Sequence, residues 1–150
     1  MTGSGEVTYR TLVPTDFDDA LALYRELSGA RPVAEGALGQ ERFAAILTQP
    51  GSAIHGAEVG GRMVSMATVH VMPNMTYGGR PYALVENVVT LKAFQGRGLG
   101  RGVMQSLIDT AWAAGAYKIM LLTGRRAKAR GFYEKLGFNG DEKHGMILRR

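Results

Sequence analysis

In the run Gln95-Gly96-Arg97-Gly98-Leu99-Gly100-Arg101-Gly102, every second residue is a glycine, with Arg97, Leu99 and Arg101 between them. Glycine lets main chain approach a ligand closely. If a helix starts here, its unpaired N–H groups and its dipole together make an anion site, and a pyrophosphate fits that role. Two better-known phosphate loops are excluded by the residues present. A Walker loop ends in GKS or GKT, and neither occurs. A dinucleotide fingerprint needs glycine at Arg101 if it starts at Gly96, or at Val103 if it starts at Gly98. A flexible strand-to-helix turn is the plain alternative. A second run, Gly131-Phe132-Tyr133-Glu134-Lys135-Leu136-Gly137-Phe138, carries a phenol between two glycines. His55, His70 and His144 have no metal-ligand spacing, and the chain has no cysteine. Disulfides, thiolate metal sites and a cysteine-bound acyl intermediate are therefore excluded.

The elements that must hold these residues follow from periodicity. Val7 to Leu12 alternates as a strand, and Thr15 offers an N-cap for an amphipathic helix to Leu27, with Asp18 and Asp19 near its positive end and Gly29 as its stop. A shorter helix is predicted over Gln40 to Leu47, and these two helices are expected to roof a substrate pocket. Ser52 to Val59 and Arg62 to Val71 read as strands joined at Gly60-Gly61, a dipeptide suited to a tight hairpin. Pro73 to Pro81 reads as a loop, and Tyr82 to Thr90 as a further strand. Leu99, Val103, Leu107 and Ala111 form one apolar line, widened by Met104 and Ile108, in a helix from about Gly98 to Ala114. A strand at Lys118 to Leu122, a helix near Ala127 to Leu136 and a closing strand around Met146 to Arg149 complete the order βααβββαβαβ.

At 150 residues, 45% hydrophobic and 21% charged, the chain is expected to form one domain over 1–150. Its apolar runs fall short of the ~20 residues a membrane helix needs, and residues 1–12 lack the apolar segment of a secretory signal. A cytoplasmic location is expected. Charge is uneven: residues 1–91 carry a net −3 and residues 92–150 a net +8. The C-terminal part suits an anion. Nucleic acid is a weaker partner for it, because aromatic residues do not interleave with the basic ones.

QGRGLG at Gln95 to Gly100 resembles the (R/Q)xxGx(G/A) acyl-CoA loop of the GNAT superfamily of N-acetyltransferases, and GFYEKLGF resembles that family's C-terminal helix and turn. The separation of 33 positions from Gly100 to Tyr133 leaves room for a helix, a strand and half a helix, as in the family. Gly115 to Ile119 with the FYEKLGF run is similar to glucosamine-6-phosphate N-acetyltransferase-like members. Two departures stand out: Leu122 occupies a position where those enzymes place an acidic residue, and Arg126 replaces an asparagine common in the family.

The resemblance implies an α/β (α+β) GNAT fold, with a mixed, mostly antiparallel sheet of about six to seven strands flanked by about four helices. It also implies that the strand before the loop carries a bulge and that its neighbour diverges, leaving a slot for pantetheine. On that pattern Val88, Val89 and Thr90 bind the pantetheine arm, while Gln95, Gly96, Arg97, Gly98, Leu99, Gly100 and Arg101 bind the diphosphate of acetyl-CoA. No metal is implied, and the family's frequent dimers make a homodimer an expectation.

The expected reaction moves an acetyl group directly to the primary amine of a small molecule or peptide in a ternary complex. An alkylammonium with a pKa of about 10 must lose a proton before it attacks, so a base is needed. Glu86, in the otherwise apolar strand Ala83 to Val89 and on the face of Val88 if pairing is regular, is the candidate, improved as a base by burial. An edge carboxylate in a salt bridge is its structural alternative. Tyr133 is the candidate acid for the departing thiolate. The run Arg125 to Arg130 reads as a solvated helix face or as a contact for the 3′-phosphate of CoA. A non-catalytic acyl-CoA sensor and a basic nucleic-acid-binding domain are the competing functions.

Overall fold

The computed structural model describes residues 5–125 and 128–150. The chain divides into two compact units, residues 5–120 and residues 121–150.

The first unit is a five-stranded sheet in the order β1-β2-β3-β4-β5. Strands β1 (Val7–Thr11), β2 (Ser52–Val59), β3 (Arg62–Met72) and β4 (Tyr82–Thr90) form an antiparallel meander, and β5 (Ile119–Met120) joins β4 in parallel. The Gly60-Gly61 hairpin forms as expected, with φ of 59° and 77°. Only glycine takes two successive left-handed residues without strain. Helices α1 (Phe17–Ser28) and α2 (Gly36–Thr48) cover one face, where Leu23, Phe43, Ile54, Met63, Met66 and Val89 pack together. α4 (Leu99–Ala113) follows β4 and buries the six apolar residues read from the sequence, Leu99, Val103, Met104, Leu107, Ile108 and Ala111. Burying each of the larger ones contributes about 1.5–3 kcal/mol, which anchors the start of α4.

Several boundaries differ from the sequence reading. Thr15 is not an N-cap: it lies in a 3₁₀ turn, Pro14–Asp16, and α1 begins at Phe17. The Asp16 carboxylate accepts the Val13 N–H and two bonds from Arg10, whose guanidinium also reaches Glu58. Asp19 accepts the Met63 N–H at 3.0 Å, so it docks α1 on β3 besides favouring the helix dipole. α2 starts four residues early, at Gly36. Gly39 meets Ala34 and the Phe17 ring so closely that a Cβ would overlap both, a tertiary reason invisible in a periodicity. The Pro73 to Pro81 loop holds a one-turn helix, α3 (Thr76–Gly79), distorted by left-handed Tyr77 and Gly78.

The second unit contains α5 (Arg130–Lys135), and the expected start of that helix at Ala127 lies outside the described residues, as does Arg126. The closing strand at Met146 to Arg149 does not form, and Leu148 is fully exposed. A four-residue run makes a strand only where a neighbour offers a ladder, and residues 121–150 contain no other described strand. The sheet therefore has five strands, not six or seven.

Candidate active site

The site is built around a break in β4. Its register against β3 runs regularly from Met72↔Tyr82 to Thr68↔Glu86, then resumes at Met66↔Val89. Asn87 and Val88 thus stand against the single residue Ala67, and Asn87 takes φ 53°. This is a bulge, and asparagine is among the few side chains that tolerate that backbone. On the other side, β5 pairs only with Ala83 and Leu84. From Val85 onward that edge of β4 has no ladder to β5, so main-chain groups at the bulge are available to a ligand.

After Thr90 the chain turns under tight control. The Leu91 N–H bonds Val64 O, the Lys92 N–H bonds Glu26 Oε1 at 2.9 Å, and Gln95 Nε2 donates to Thr90 O at 3.1 Å. Gly96 and Gly98 then take φ of 78° and 77°. Nothing lies within 4 Å of a Cβ built on either residue, so these glycines are required by conformation and not by crowding. The first bond of the following helix runs from Gly102 N to Gly98 O, at 3.1 Å. Among the described residues, the N–H groups of Gly96, Arg97, Gly98, Leu99, Gly100 and Arg101 meet no acceptor. Such a row at a helix entrance is the arrangement that binds phosphate oxygens. Arg97 stacks over Phe94 at 5.1 Å, while Arg101 is exposed.

The entrance of α4 is fixed from behind. A Cβ at Gly102 would fall 2.3 Å from the Tyr9 ring, so this glycine lets α4 seat directly on β1. Beside the loop lies an open cleft of about 370 Å³ lined by Glu26, Leu27, Val88, Val89, Thr90, Lys92 and Gln95. Val88, Val89, Thr90 and Gln95 were expected from the sequence. Glu26, Leu27 and Lys92 were not, because nothing in the sequence pairs the last turn of α1 with the end of β4. Of the two helices expected to roof a pocket, α1 lines this cleft and α2 does not.

Glu86 lies opposite Thr68, on the face of the sheet that carries Met66 and Val89. It is exposed, so the apolar burial expected of it is not met. The bulge also breaks the regular pairing that would have set it on the face of Val88. Tyr133, in the second unit, is half-buried between Phe132 and Phe138, whose ring centroids lie 5.1 and 6.0 Å away. Burial pushes its phenol pKa up, which keeps the proton on oxygen at neutral pH. In the same unit Arg130 forms ion pairs with Glu134 and Asp141 at 2.8 and 3.0 Å. No group of three His, Asp or Glu gathers as a metal site among the described residues.

The Acetyltransferase (GNAT) family profile matches residues 20–138, more than half of the chain. This chain belongs to the GNAT acetyltransferase family. As a GNAT protein it is an acetyl-CoA-dependent N-acetyltransferase. Over 147 residues it is 31% identical to a glucosamine 6-phosphate N-acetyltransferase of Trypanosoma brucei brucei, covering 95% of this chain and 96% of that protein. A solved structure from Agrobacterium tumefaciens str. C58, assigned as an acetyltransferase, superposes with a TM-score of 0.90 at 43% identity, covering 95% of this chain and 99% of that one. A crystal structure of a Trypanosoma brucei acetyltransferase superposes with a TM-score of 0.80 at 27% identity, over 96% and 100% of the two chains. The bulged β4 and the glycine-rich entrance of α4 both lie within the residues that the family profile matches. No helix among the described residues is long and apolar enough to cross a membrane.

Proposed function

We propose that this GNAT enzyme transfers the acetyl group directly from acetyl-CoA to a primary amine while both are bound. The observation that carries the reading is the row of N–H groups from Gly96 to Arg101 without protein acceptors, next to the cleft at Val88 to Gln95. The diphosphate rests on those amides, and the pantetheine arm runs along the bulged main chain of Val88 to Thr90. One N–H there donates to the thioester oxygen as it gains charge, a contribution of about 3 kcal/mol for donors of this type.

Glu86 takes a proton from the incoming ammonium, through water, and the freed nitrogen lone pair attacks the thioester carbon. As the tetrahedral adduct collapses its nitrogen gives a second proton to water, the C–S bond breaks, the Tyr133 hydroxyl protonates the departing thiolate, and water returns a proton to the phenolate. With no cysteine in the chain, the acetyl group has no thiol on which to wait, which favours one direct step. One or two cations of the run Arg125 to Arg130 supply contacts for the 3′-phosphate. Arg130 already shares its charge with two carboxylates, which weighs against a nucleic-acid surface there. The acceptor is an amine of a small molecule or a peptide, the reaction runs in the cytoplasm, and two copies of the chain form the working unit.

The first amine to try is glucosamine 6-phosphate, the substrate named for the 31% identical relative. Leu122 stands where that group of enzymes carries an acidic residue, so a polyamine, an aminoglycoside and a peptide N-terminus belong in the same panel. Release of CoA thiol is measured with acetyl-CoA and each amine. Turnover with one or more amines is expected. Coenzyme A binding without thiol release on any of them would replace the enzyme reading with that of a sensor.

A further inference from the structure

The Glu86 side of the sheet holds two buried hydroxyls that no other part of the fold uses. Tyr24 Oη, from α1, and Thr68 Oγ1, from β3, are shielded from solvent, and neither completes a hydrogen bond among the described residues. The two lie near each other: burial raises the Tyr24 phenol pKa and Thr68 moderates that rise, although their geometry falls short of a hydrogen bond. A buried hydroxyl without a partner is costly, and phenylalanine or valine would fill the same space without that cost. Keeping both hydroxyls calls for an acceptor that the two elements themselves do not supply.

Glu86 is placed to be that acceptor. It is the directly opposed cross-strand partner of Thr68, so the two side chains leave the same face of the sheet about 5 Å apart at Cβ. Its carboxylate forms no ion pair among the described residues and is free to rotate. Glu86 is also the last regularly paired residue before the bulge, beside the main chain assigned above to pantetheine. His70 and Tyr82 lie on the same face, opposite Leu84 and Met72, and His70 Nδ1 is already engaged with Ser52 Oγ at 2.6 Å.

We infer that Tyr24 and Thr68 are positioning residues for Glu86, donating their two O–H groups to its carboxylate when the acceptor amine is bound. One carboxylate oxygen is then held by the hydroxyls and the other faces the amine. This inference rests on the reading of Glu86 as the base. It explains how an exposed carboxylate gains a fixed direction from a buried pair on two other elements.

The test measures kcat and KM for acetyl-CoA with the fastest amine of the panel above, for Tyr24→Phe, Thr68→Val and Thr68→Ser, each alone and combined with Glu86→Gln. Tyr24→Phe and Thr68→Val are expected to lower kcat about tenfold each, the effect of losing a hydrogen bond to a charged group, with the acetyl-CoA KM unchanged. Thr68→Ser retains a hydroxyl and is expected to retain the rate. On Glu86→Gln the two removals are expected to cost little more, because the charge they hold is gone. Their melting temperatures are expected to equal or exceed that of the parent, which separates the effect from loss of folding. If Glu86→Gln is slow while Tyr24→Phe and Thr68→Val run at full rate, or if they slow Glu86→Gln by the same factor, the positioning role is overturned and the base role stands. If Glu86→Gln is itself at full rate, or no amine turns over, the base reading falls and this inference falls with it.

Discussion

Two glycine-bounded motifs carry the resemblance read from the sequence, and they differ in the kind of chemistry they offer. The entrance of α4 works through main chain. Its function depends on where amides point, and positive φ at Gly96 and Gly98 together with burial of Leu99 and Val103 sets that direction locally. The Gly131 to Phe138 motif works through one side chain, the Tyr133 phenol, and its own unit supplies only a short helix and two neighbouring rings. A main-chain site is therefore complete once its few residues have folded. A side-chain acid does its work only when the reacting atoms reach it.

The largest expected effect tests the second motif. Tyr133→Phe should lower kcat about a hundredfold, in the range of a lost general acid, while calorimetry finds the coenzyme A affinity unchanged. Unchanged turnover would reduce the second motif to scaffold and remove the acid role.

A substitution at the β1–α1 corner should separate stability from binding within the first unit. Asp16→Asn leaves Arg10 with one carboxylate in place of two, and should cost about 2 kcal/mol, or roughly 4–8 °C in Tm, with little change in coenzyme A affinity at 25 °C. The Arg10 guanidinium holds the Asp16 carboxyl below its usual range. The stability it contributes is present at neutral pH and is lost as pH falls through that lowered value.

Gly98→Ala bears on the first motif alone. A Cβ meets no atom there, but the left-handed backbone costs about 1–2 kcal/mol with a side chain. Coenzyme A should bind roughly tenfold more weakly, with kcat at saturation kept. Equal affinity would show that the amide row does not hold the ligand.

The smallest effect concerns the underside of α4, where buried His55 bonds Ser106 Oγ at 3.0 Å. Burial lowers the His55 pKa, so the unfolded chain takes up a proton near pH 6.5 that the folded chain resists. Stability should thus decline as pH falls below about 6.5, by roughly 1 kcal/mol or less per pH unit, and His55→Asn should flatten that part of the Tm profile.

What could be read from the sequence follows the same division. The α4 stripe, the Gly60-Gly61 hairpin and the glycine loop are encoded by residues adjacent in the chain, and they fold as read. Asn87 carries no such local signal: its left-handed backbone exists because β4 must stay in register with β3 on both sides of one extra residue. Glu26 and Leu27 reach the cleft only through packing of α1 on the sheet, and Tyr24 and Thr68 look like ordinary core positions until their unpaired hydroxyls are seen. Met146 to Arg149 opens with an apolar run that reads as a strand but has no described partner within its unit, and pairing, not composition, decides whether a strand forms.

The central claim, that main-chain amides at the start of α4 grip a diphosphate, is tested most directly by following the backbone amide resonances of residues 96–101 during titration. Coenzyme A should shift these amides more than any others in the first unit, whereas pantetheine, which lacks the diphosphate, should leave them in place. Saturable binding of coenzyme A with the amides of Gly96 to Arg101 unmoved would contradict the claim.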